Sequence, residues 1–346
     1  MTGDPTAVET RRYVRAVGRH RVLWFVGALV LLAVVCVASV AVGSALLPPS
    51  TVWEALTSYD GSIDHITVRD VRVPRTAIGL MVGAGLGVAG ALMQAVSRNP
   101  LADPGILGVN AGAGLAVALG VAYLGLTQIS EFIWLALLGS VIAAVLVTAI
   151  AARGPGGVTP LRLTLVGVAM TAVFNGMSMS LSLVNPARFE HVRFWGVGTI
   201  ADRPPGTAGF IAPFIIAGLV LAVIGSRSLN ALALGDDVAR GVGVRVRSTQ
   251  VMGLISLVLL CGAATAAAGP IAFVGLMIPH AVRLVAGVDQ RWVILYSAVV
   301  GPILLLSADI VGRLLLWPAE LQVGVITPLI GAPILIWLVR RRKAVR

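Results

Sequence analysis

Long apolar segments recur along almost the whole chain, and they constrain its fold more than any other feature of the sequence. The hydrocarbon core of a bilayer is about 30 Å thick, so a helix needs about 20 mainly apolar residues to cross it. Segments of this kind occur ten times, at residues 22–46, 76–96, 105–125, 132–152, 163–184, 208–226, 249–268, 269–286, 292–316 and 322–339. The sequence therefore predicts an all-α polytopic membrane protein with about ten transmembrane helices.

The eighth segment, 269–286, is the weakest candidate for a span because it contains Pro279, His280 and Arg283. Charged groups at membrane depth are costly, and proline interrupts a helix. A full span, a half-span and a re-entrant segment all fit this pattern.

The composition excludes an ordinary soluble enzyme. Hydrophobic residues make up 58% of the 346 residues, and charged residues only 12%, whereas soluble domains carry about 25% charged residues. One soluble core cannot hide so many apolar side chains, because much of any globule must face water. Cys36 and Cys261 both lie in apolar segments, so no disulfide framework and no paired-cysteine metal site is expected.

The basic residues indicate an orientation in the membrane. If the N-terminus is cytoplasmic, 19 of the 26 basic residues fall in cytoplasmic segments. Because cytoplasmic loops carry an excess of Lys and Arg, we expect both termini in the cytoplasm. The chain then divides into an N-terminal tail (1–21), a membrane domain (22–339) with a cytoplasmic connection at 226–248, and a basic tail (340–346). The net charge of +11 reflects this topology, and no nucleic-acid partner is expected.

Motifs of hydrolytic and nucleotide-binding enzymes are absent from the sequence. The only lysine is Lys343, so there is no phosphate-binding loop, and neither HExxH nor GxSxG occurs. A GxGxxG match at 85–90 lies inside an apolar segment, where the spacing of Gly79, Gly83 and Gly87 favours close helix packing. We therefore expect no catalytic residue, metal or cofactor on this chain itself.

A polar break bounded by prolines separates the second and third predicted spans. It contains Asn99, Pro100, Asp103 and Pro104, and Gln94 comes just before it. Asn and Asp cap helices, and proline begins or ends them. An ordinary turn and a junction with a conformational role both fit these residues.

The connection at 226–248 is the longest cytoplasmic segment between two predicted spans. Asp236 and Asp237 followed by Arg240 complement the dipole of a short helix, and Gly241 and Gly243 are suited to end it. The sequence predicts a short helix at the cytoplasmic face, either as part of a solvated loop or as a docking site for a soluble partner.

Several ionisable residues lie on the outer side or within spans. Arg72, Arg75 and Arg313 either anchor at lipid headgroups or bind carboxylates of a partner. Asp309 precedes Arg313 by four residues, which favours a buried ion pair. For His280, a hydrogen-bonded structural role is favoured over haem ligation.

Five ordered segments resemble the permease subunits of the FecCD type, the type II ABC importer family for iron–siderophores, haem and cobalamin. They read VRVPRT (71–76), GVAGALMQAVSRNPLADPGILGVNAGA (87–113), LALGDDVARGVGV (232–244), GPIAFVGLMIPHAVRLVAG (269–287) and LSADIVGRLLLWPAELQVGVITPLIGAPILIWLVRRR (306–342). The resemblance implies a ten-span subunit that pairs with an identical or different permease around a central pathway. It also implies two ATPase subunits, which bind ATP and Mg²⁺, and an extracytoplasmic binding protein.

The resemblance further implies roles for individual residues. Arg72, Arg75 and Arg313 would pair with acidic residues of the binding protein. Met170 and Asn175, in the fifth span, would line the pathway. The residues that couple the permease to the ATPase would be Leu234, Gly235, Asp236, Asp237, Ala239, Arg240 and Gly243.

The resulting hypothesis is a permease subunit of an ATP-driven importer of ferric siderophores in the bacterial cytoplasmic membrane, working by alternating access. Cobalamin and haem are alternative cargoes. A haem-binding membrane protein and a passive channel are alternatives from different classes. Haem absorbance would identify the first of these, and flux without an ATPase would identify the second.

Overall fold

A computed structural model describes residues 5–43, 47–126, 128–153, 159–184, 186–316 and 319–343. Throughout these residues the chain forms helices joined by turns, without a β-strand, as the sequence predicts. Parts of three predicted segments lie outside the described residues: 1–4 of the N-terminal tail, 44–46 of the first span and 344–346 of the basic tail.

The described helices are α1 (Pro5–Ala41), α2 (Pro49–Thr57), α3 (Ile63–Ile66), α4 (Val73–Ser97), α5 (Val109–Leu124), α6 (Ile129–Ala152), α7 (Pro160–Val184), α8 (Glu190–Val197), α9 (Thr207–Leu232), α10 (Asp236–Gly241), α11 (Val246–Ala268), α12 (Val274–Ala286), α13 (Gln290–Leu315) and α14 (Val323–Lys343). A π-helical stretch, Thr67–Arg72, joins α3 to α4. Short 3₁₀ turns cover Pro104–Leu107 and Pro186–Phe189.

Each predicted span coincides with one helix, but the helices differ in length. Among the described residues, seven helical segments are long and apolar enough to cross a membrane. The three shorter ones are α5 with 16 residues, α12 with 13 residues and the apolar part of α14, Val323–Ile336. These lengths support a polytopic membrane protein, while the count of ten crossings and the cytoplasmic termini stay predictions.

Two predicted spans begin several residues before their helices. The third span was predicted from residue 105, but a 3₁₀ turn occupies Pro104–Leu107 and α5 begins at Val109. The eighth was predicted from residue 269, but α12 begins only at Val274. Gly108 and Phe273 have φ angles of 70° and 71°, a left-handed conformation that breaks a right-handed helix. At about 1.5 Å per residue, α12 is about 20 Å long, shorter than the about 30 Å of a full crossing.

The ends of the bundle are defined by contacts between helices. The C-terminal ends of α1 and α13 meet each other, and the segment before α14 meets the start of α4. We name this end, which holds Arg75 and Arg313, the predicted outer end. Helix α10 meets the opposite end of α4 through Arg98, and we name that end the predicted cytoplasmic end.

Helix α4 forms the centre of the bundle, packed against α9, α11, α12 and α13. A side chain added at Gly83 would place its Cβ 2.5 Å from the Pro302 Cα, and one at Gly87 would place it 2.6 Å from the Ser297 carbonyl oxygen. At Gly90 the added Cβ would overlap the carbonyl oxygen of Gly275. The predicted close packing through glycine is confirmed, and the GxGxxG match lies within a helix.

The overlap at Gly90 generates a matched pair of substitutions. Gly90→Ala should destabilise the protein by about 1–3 kcal/mol because α12 must move away from α4. Gly176→Ala, in α7, meets no atom within 4 Å and should leave stability unchanged or slightly raised. Thermal unfolding of both variants in detergent measures the difference. Equal melting temperatures would contradict tight packing of α4 on α12.

Candidate functional site

Two arginines cap the C-terminus of α1 at the predicted outer end. Arg72 Nη1 donates to the carbonyl oxygens of Val40 and Ala41, at 2.9 and 2.7 Å. Arg313 Nη1 donates to those of Ser39 and Val42, at 2.8 and 2.7 Å. The last carbonyls of a helix have no partner within it, and they attract cations through the helix dipole. These two side chains therefore fix the end of α1 against α4 and α13.

One buried carboxylate joins the remaining arginine to this group. Arg75 binds Asp309 in a bidentate manner, with Nε 3.1 Å from Oδ2 and Nη2 2.7 Å from Oδ1. Arg313 Nε lies 3.0 Å from the same Oδ2, and its Nη2 also binds there. Arg75 Nη1 lies 2.7 Å from Glu320 Oε2. The single negative charge of Asp309 is thus shared between two guanidinium groups, and Glu320 supplies a second negative charge. We name Arg72, Arg75, Asp309, Arg313 and Glu320 the arginine network.

The predicted docking arginines are therefore buried and hydrogen-bonded within the chain. Arg72, Arg75 and Arg313 are only 4, 8 and 2% exposed. The predicted pair of Asp309 with Arg313 is present. Its extension to Arg75, 234 residues earlier in the chain, had no local signal in the sequence. Docking by these arginines stays a prediction, and it would require their present partners to be exchanged.

The polar break is a junction between α4, α5 and α12. Asp103 Oδ1 accepts a hydrogen bond of 2.8 Å from the Gly105 N–H and so caps the 3₁₀ turn, as its residue type suggested. Asn99 Oδ1 accepts one of 3.0 Å from the Leu101 N–H. Pro100 lies in the turn between these two residues, and Pro104 packs against Gly275 near the start of α12. A conformational role for this junction stays a prediction.

Gln94 ties α4 to α12 near the same junction. Its amide nitrogen donates to the Leu276 carbonyl oxygen at 3.1 Å, and its amide oxygen accepts from Arg283. Pro279 and His280 lie one turn further along α12, and both are buried. His280 therefore lies on a part of α12 that is buried in the bundle, which fits the structural role favoured for it.

A polar stripe on α7 lines a cavity of about 570 Å³ between α5, α7 and α8. The stripe consists of Thr171, Asn175, Ser178 and Ser182, spaced so that they share one helix face. The cavity thus contains Asn175, one of the two predicted pathway residues. Met170 lies about 140° around the helix from Asn175, and it packs against the hydrophobic core instead.

The predicted coupling helix is present as α10. Gly235 and Gly243, with φ of 109° and 81°, flank it, and Ala239 is buried against the bundle. Asp236 and Asp237 lie in its first turn, and Arg240 pairs with Asp237 at 2.9 Å. Leu234, the remaining predicted coupling residue, is exposed, and the coupling role of these residues stays a prediction.

Three apolar side chains of this segment are exposed, and we name them the apolar stripe. Leu234 lies just before α10, Val238 within it and Val242 just after it, and they are 70, 49 and 66% exposed. Apolar side chains exposed beside charged groups are typical of a surface that a partner covers.

Asp236 also connects α10 to the centre of the bundle. Its carboxylate pairs with Arg98, the residue that ends α4 in a left-handed conformation with φ of 51°. The sequence located Arg98 on the predicted cytoplasmic side but gave no sign of this partner, since 138 residues separate the two.

Comparison with known proteins identifies the family. The model of the FecCD transport family matches residues 31–341. The chain belongs to the FecCD transport family. Among its FecCD relatives, the ferric enterobactin transport system permease protein FepD of Escherichia coli is 45% identical, covering 91% of this chain and 94% of that protein.

A second relative and a solved structure extend the comparison of this FecCD chain. The hemin transport system permease protein HmuU of Yersinia pestis is 33% identical, covering 92% of this chain and 95% of that protein. A structure described as an inward-facing conformation of a metal-chelate type ABC transporter matches with a TM-score of 0.79 and 26% identity, covering 91% of this chain and 98% of that one.

The shared carboxylate of the arginine network generates a prediction about stability. Asp309→Asn leaves Arg75 and Arg313 buried without their common counter-ion, and we expect a loss of about 3–5 kcal/mol. Asp70→Asn, at an exposed position near the same end, is the control and should change stability little. Thermal unfolding in detergent compares the two variants. If Asp309→Asn has the same melting temperature as the wild type, Asp309 does not hold this end together.

Proposed function

We propose that this chain is the permease subunit of an ATP-driven importer that moves a ferric siderophore across the bacterial cytoplasmic membrane. The observation that carries the proposal is the exposed helix α10, attached through Asp236 to Arg98 at the end of the central helix. A permease driven by a separate ATPase needs such a connection, because ATP can bias transport only by favouring one conformation of the spans.

The ATPase would bind at the predicted cytoplasmic end. The apolar stripe of Leu234, Val238 and Val242 offers apolar surface to a groove on that partner. Asp237 and Arg240 lie beside it and offer charged contacts. ATP and Mg²⁺ would remain on the ATPase subunits, and movement of α10 would pass to α4 through the pair of Asp236 with Arg98.

The cargo pathway would run along the polar stripe of α7. Thr171, Asn175, Ser178 and Ser182 present hydroxyl and amide groups to a cavity. These groups suit an oxygen-rich iron chelate, because they form hydrogen bonds with its oxygen atoms, and Arg193 in the same lining adds a positive charge. A second permease subunit, identical or different, would close the pathway from the other side. An extracytoplasmic binding protein would deliver the cargo at the predicted outer end.

Two observations favour a siderophore over haem. Identity is higher to the ferric enterobactin permease than to the hemin permease, at 45% against 33%. His280 is 3% exposed within α12, and it is absent from the lining of the α7 cavity. A haem ligand in the pathway would need to face that cavity. Cobalamin stays the other alternative cargo.

Uptake into proteoliposomes tests the proposal. The chain is reconstituted with its partner subunits, and uptake of radioactive iron bound to enterobactin is measured with and without ATP. We expect uptake that requires both ATP and the binding protein. Flux without ATP would indicate a passive channel, and no iron flux with transport of labelled haem or cobalamin would reassign the cargo.

Changing the apolar stripe tests the site of ATPase binding. Leu234→Asp with Val238→Asp should abolish copurification of the ATPase and reduce uptake to background, because two charges enter an apolar contact. Val288→Asp, at an exposed position between α12 and α13, controls for a charge placed on apolar surface outside the stripe. Normal ATPase binding by the Asp variant would exclude this stripe as the docking surface.

A charge exchange tests the link between α10 and α4. Arg98→Asp and Asp236→Arg singly should each reduce the uptake per ATP hydrolysed by about tenfold, within the usual range of coupling energies. The double variant should recover much of it, since the pair is restored with reversed charges. Melting temperatures should change little, because exposed ion pairs contribute at most about 1 kcal/mol. Failure of the double variant to recover would show that the pair does not transmit the movement.

A further inference from the structure

A rigid loop between α8 and α9 holds Arg203 at the predicted outer end. The Thr199 N–H donates to the Ala268 carbonyl oxygen at 2.7 Å, and the Gly198 carbonyl oxygen accepts from the Gly324 N–H at 2.9 Å. Arg203 Nε and Nη2 both donate to the Thr199 carbonyl oxygen, at 3.2 and 2.8 Å. The guanidinium is therefore fixed by a loop that α11 and α14 anchor in turn.

The third nitrogen of this guanidinium has no partner among the described residues. Arg203 Nη1 is buried, and none of the described groups accepts its hydrogen atoms. A buried donor without an acceptor costs free energy, more so when it belongs to a charged group. The arrangement is therefore complete only when an acceptor is supplied from outside the described residues.

The charge on Arg203 persists at neutral pH. Burial lowers the pKa of its guanidinium to about 10, while the neighbouring Asp202 carboxylate acts in the opposite direction. Asp202 itself is exposed, so solvent screens much of its effect. Arg203 thus keeps a positive charge that its surroundings balance only in part.

Arg203 lines a cavity of about 640 Å³ at the predicted outer end. Gln128 at the start of α6, Gln322 before α14, and the pair of Arg75 and Glu320 line the same cavity. Arg75 is already neutralised by Asp309 and Glu320. Asp202 lines the cavity as well but is exposed, so it offsets the charge of Arg203 only in part, and two side-chain amides line the same cavity.

Arg203 differs from the arginines of the network because its Nη1 has no acceptor among the described residues. Arg72 and Arg313 are committed to the end of α1, and Arg75 to two carboxylates. An acidic group that approached any of these would have to displace a partner. At Arg203 it would instead satisfy a donor that is already in place.

We propose that Arg203 accepts an acidic side chain of the extracytoplasmic protein that docks on this permease, with Gln128 and Gln322 flanking the carboxylate. The inference deepens the proposed function, on which it rests. The occupant is a protein carboxylate because a buried guanidinium nitrogen lacks an acceptor at the end where the binding protein would dock. The cavity lies there between the start of α6, the loop before α9 and the segment before α14. Nη1 is buried, so a neighbouring side chain has to rotate before the carboxylate reaches it, a movement of the size common at interfaces.

The test measures binding and transport together. Importer in proteoliposomes is titrated with the binding protein, which is purified from the source organism on immobilised ferric enterobactin. For Arg203→Met we expect the concentration that gives half-maximal uptake to rise about 30-fold, as for loss of a buried charge partner. The maximal rate should stay unchanged, and the dependence of binding on salt should weaken.

Three further variants separate this role from a structural one. Arg203→Lys keeps the charge and should lose less affinity than Arg203→Met. Gln322→Trp fills part of the cavity while keeping Arg203 in the chain, and it should weaken binding as Arg203→Met does. Arg69→Met, at an exposed position on the same side, should bind as the wild type does. Melting temperatures show whether Arg203→Met remains folded, and Gln322→Trp decides the question if it does not.

The outcomes distinguish this inference from the proposed function. If the wild type neither binds the protein nor takes up iron, the proposed function fails and the inference fails with it. If the wild type does both, and Arg203→Met and Gln322→Trp match it, only the inference is overturned. Loss of affinity in both variants at an unchanged maximal rate supports the inference.

Discussion

The buried carboxylate of Asp309 is the interaction on which the predicted outer end depends. It holds Arg75 of α4 and Arg313 of α13, and Arg313 reaches on to the last carbonyls of α1. Without such partners, burying these charged side chains would cost a large amount of free energy, since hydrocarbon offers neither water nor counter-ions. The same group of contacts therefore neutralises the arginines and caps α1. It fixes α1, α4 and α13 relative to each other.

Helix α4 carries this arrangement to the other end of the molecule. It contains 25 residues, which at about 1.5 Å per residue is about 37 Å. Arg75 near its beginning belongs to the arginine network, and Arg98 at its end pairs with Asp236 of α10. Between them, glycines bring its backbone against those of α12 and α13. Close packing of this kind transmits strain, so α4 offers a physical route from one end of the molecule to the other.

Local patterns in the sequence were sufficient for the helices of the ten predicted spans and for α10, and insufficient for the pairings. The spacing of Asp309 and Arg313 is a helical repeat, so their contact was predictable. The bonds of Arg75 to Asp309 and of Arg98 to Asp236 join residues more than a hundred positions apart, and no local rule connects them. Met170 and Asn175 show the same limit on a smaller scale. Both lie in α7, but which face of α7 borders the cavity depends on where α5 and α8 pack.

The sequence by itself determined the membrane class, the ten helical segments, the short helix α10 and the glycine packing. These follow from hydrophobic length, turn residues and spacing, which act over a few residues. The tertiary structure decided which charged groups are already paired and which cavity each polar side chain borders. It also decided that, among the described residues, Arg203 retains a buried nitrogen without an acceptor. The physical reason is that pairing and burial depend on the three-dimensional positions of distant segments, which a one-dimensional pattern does not contain.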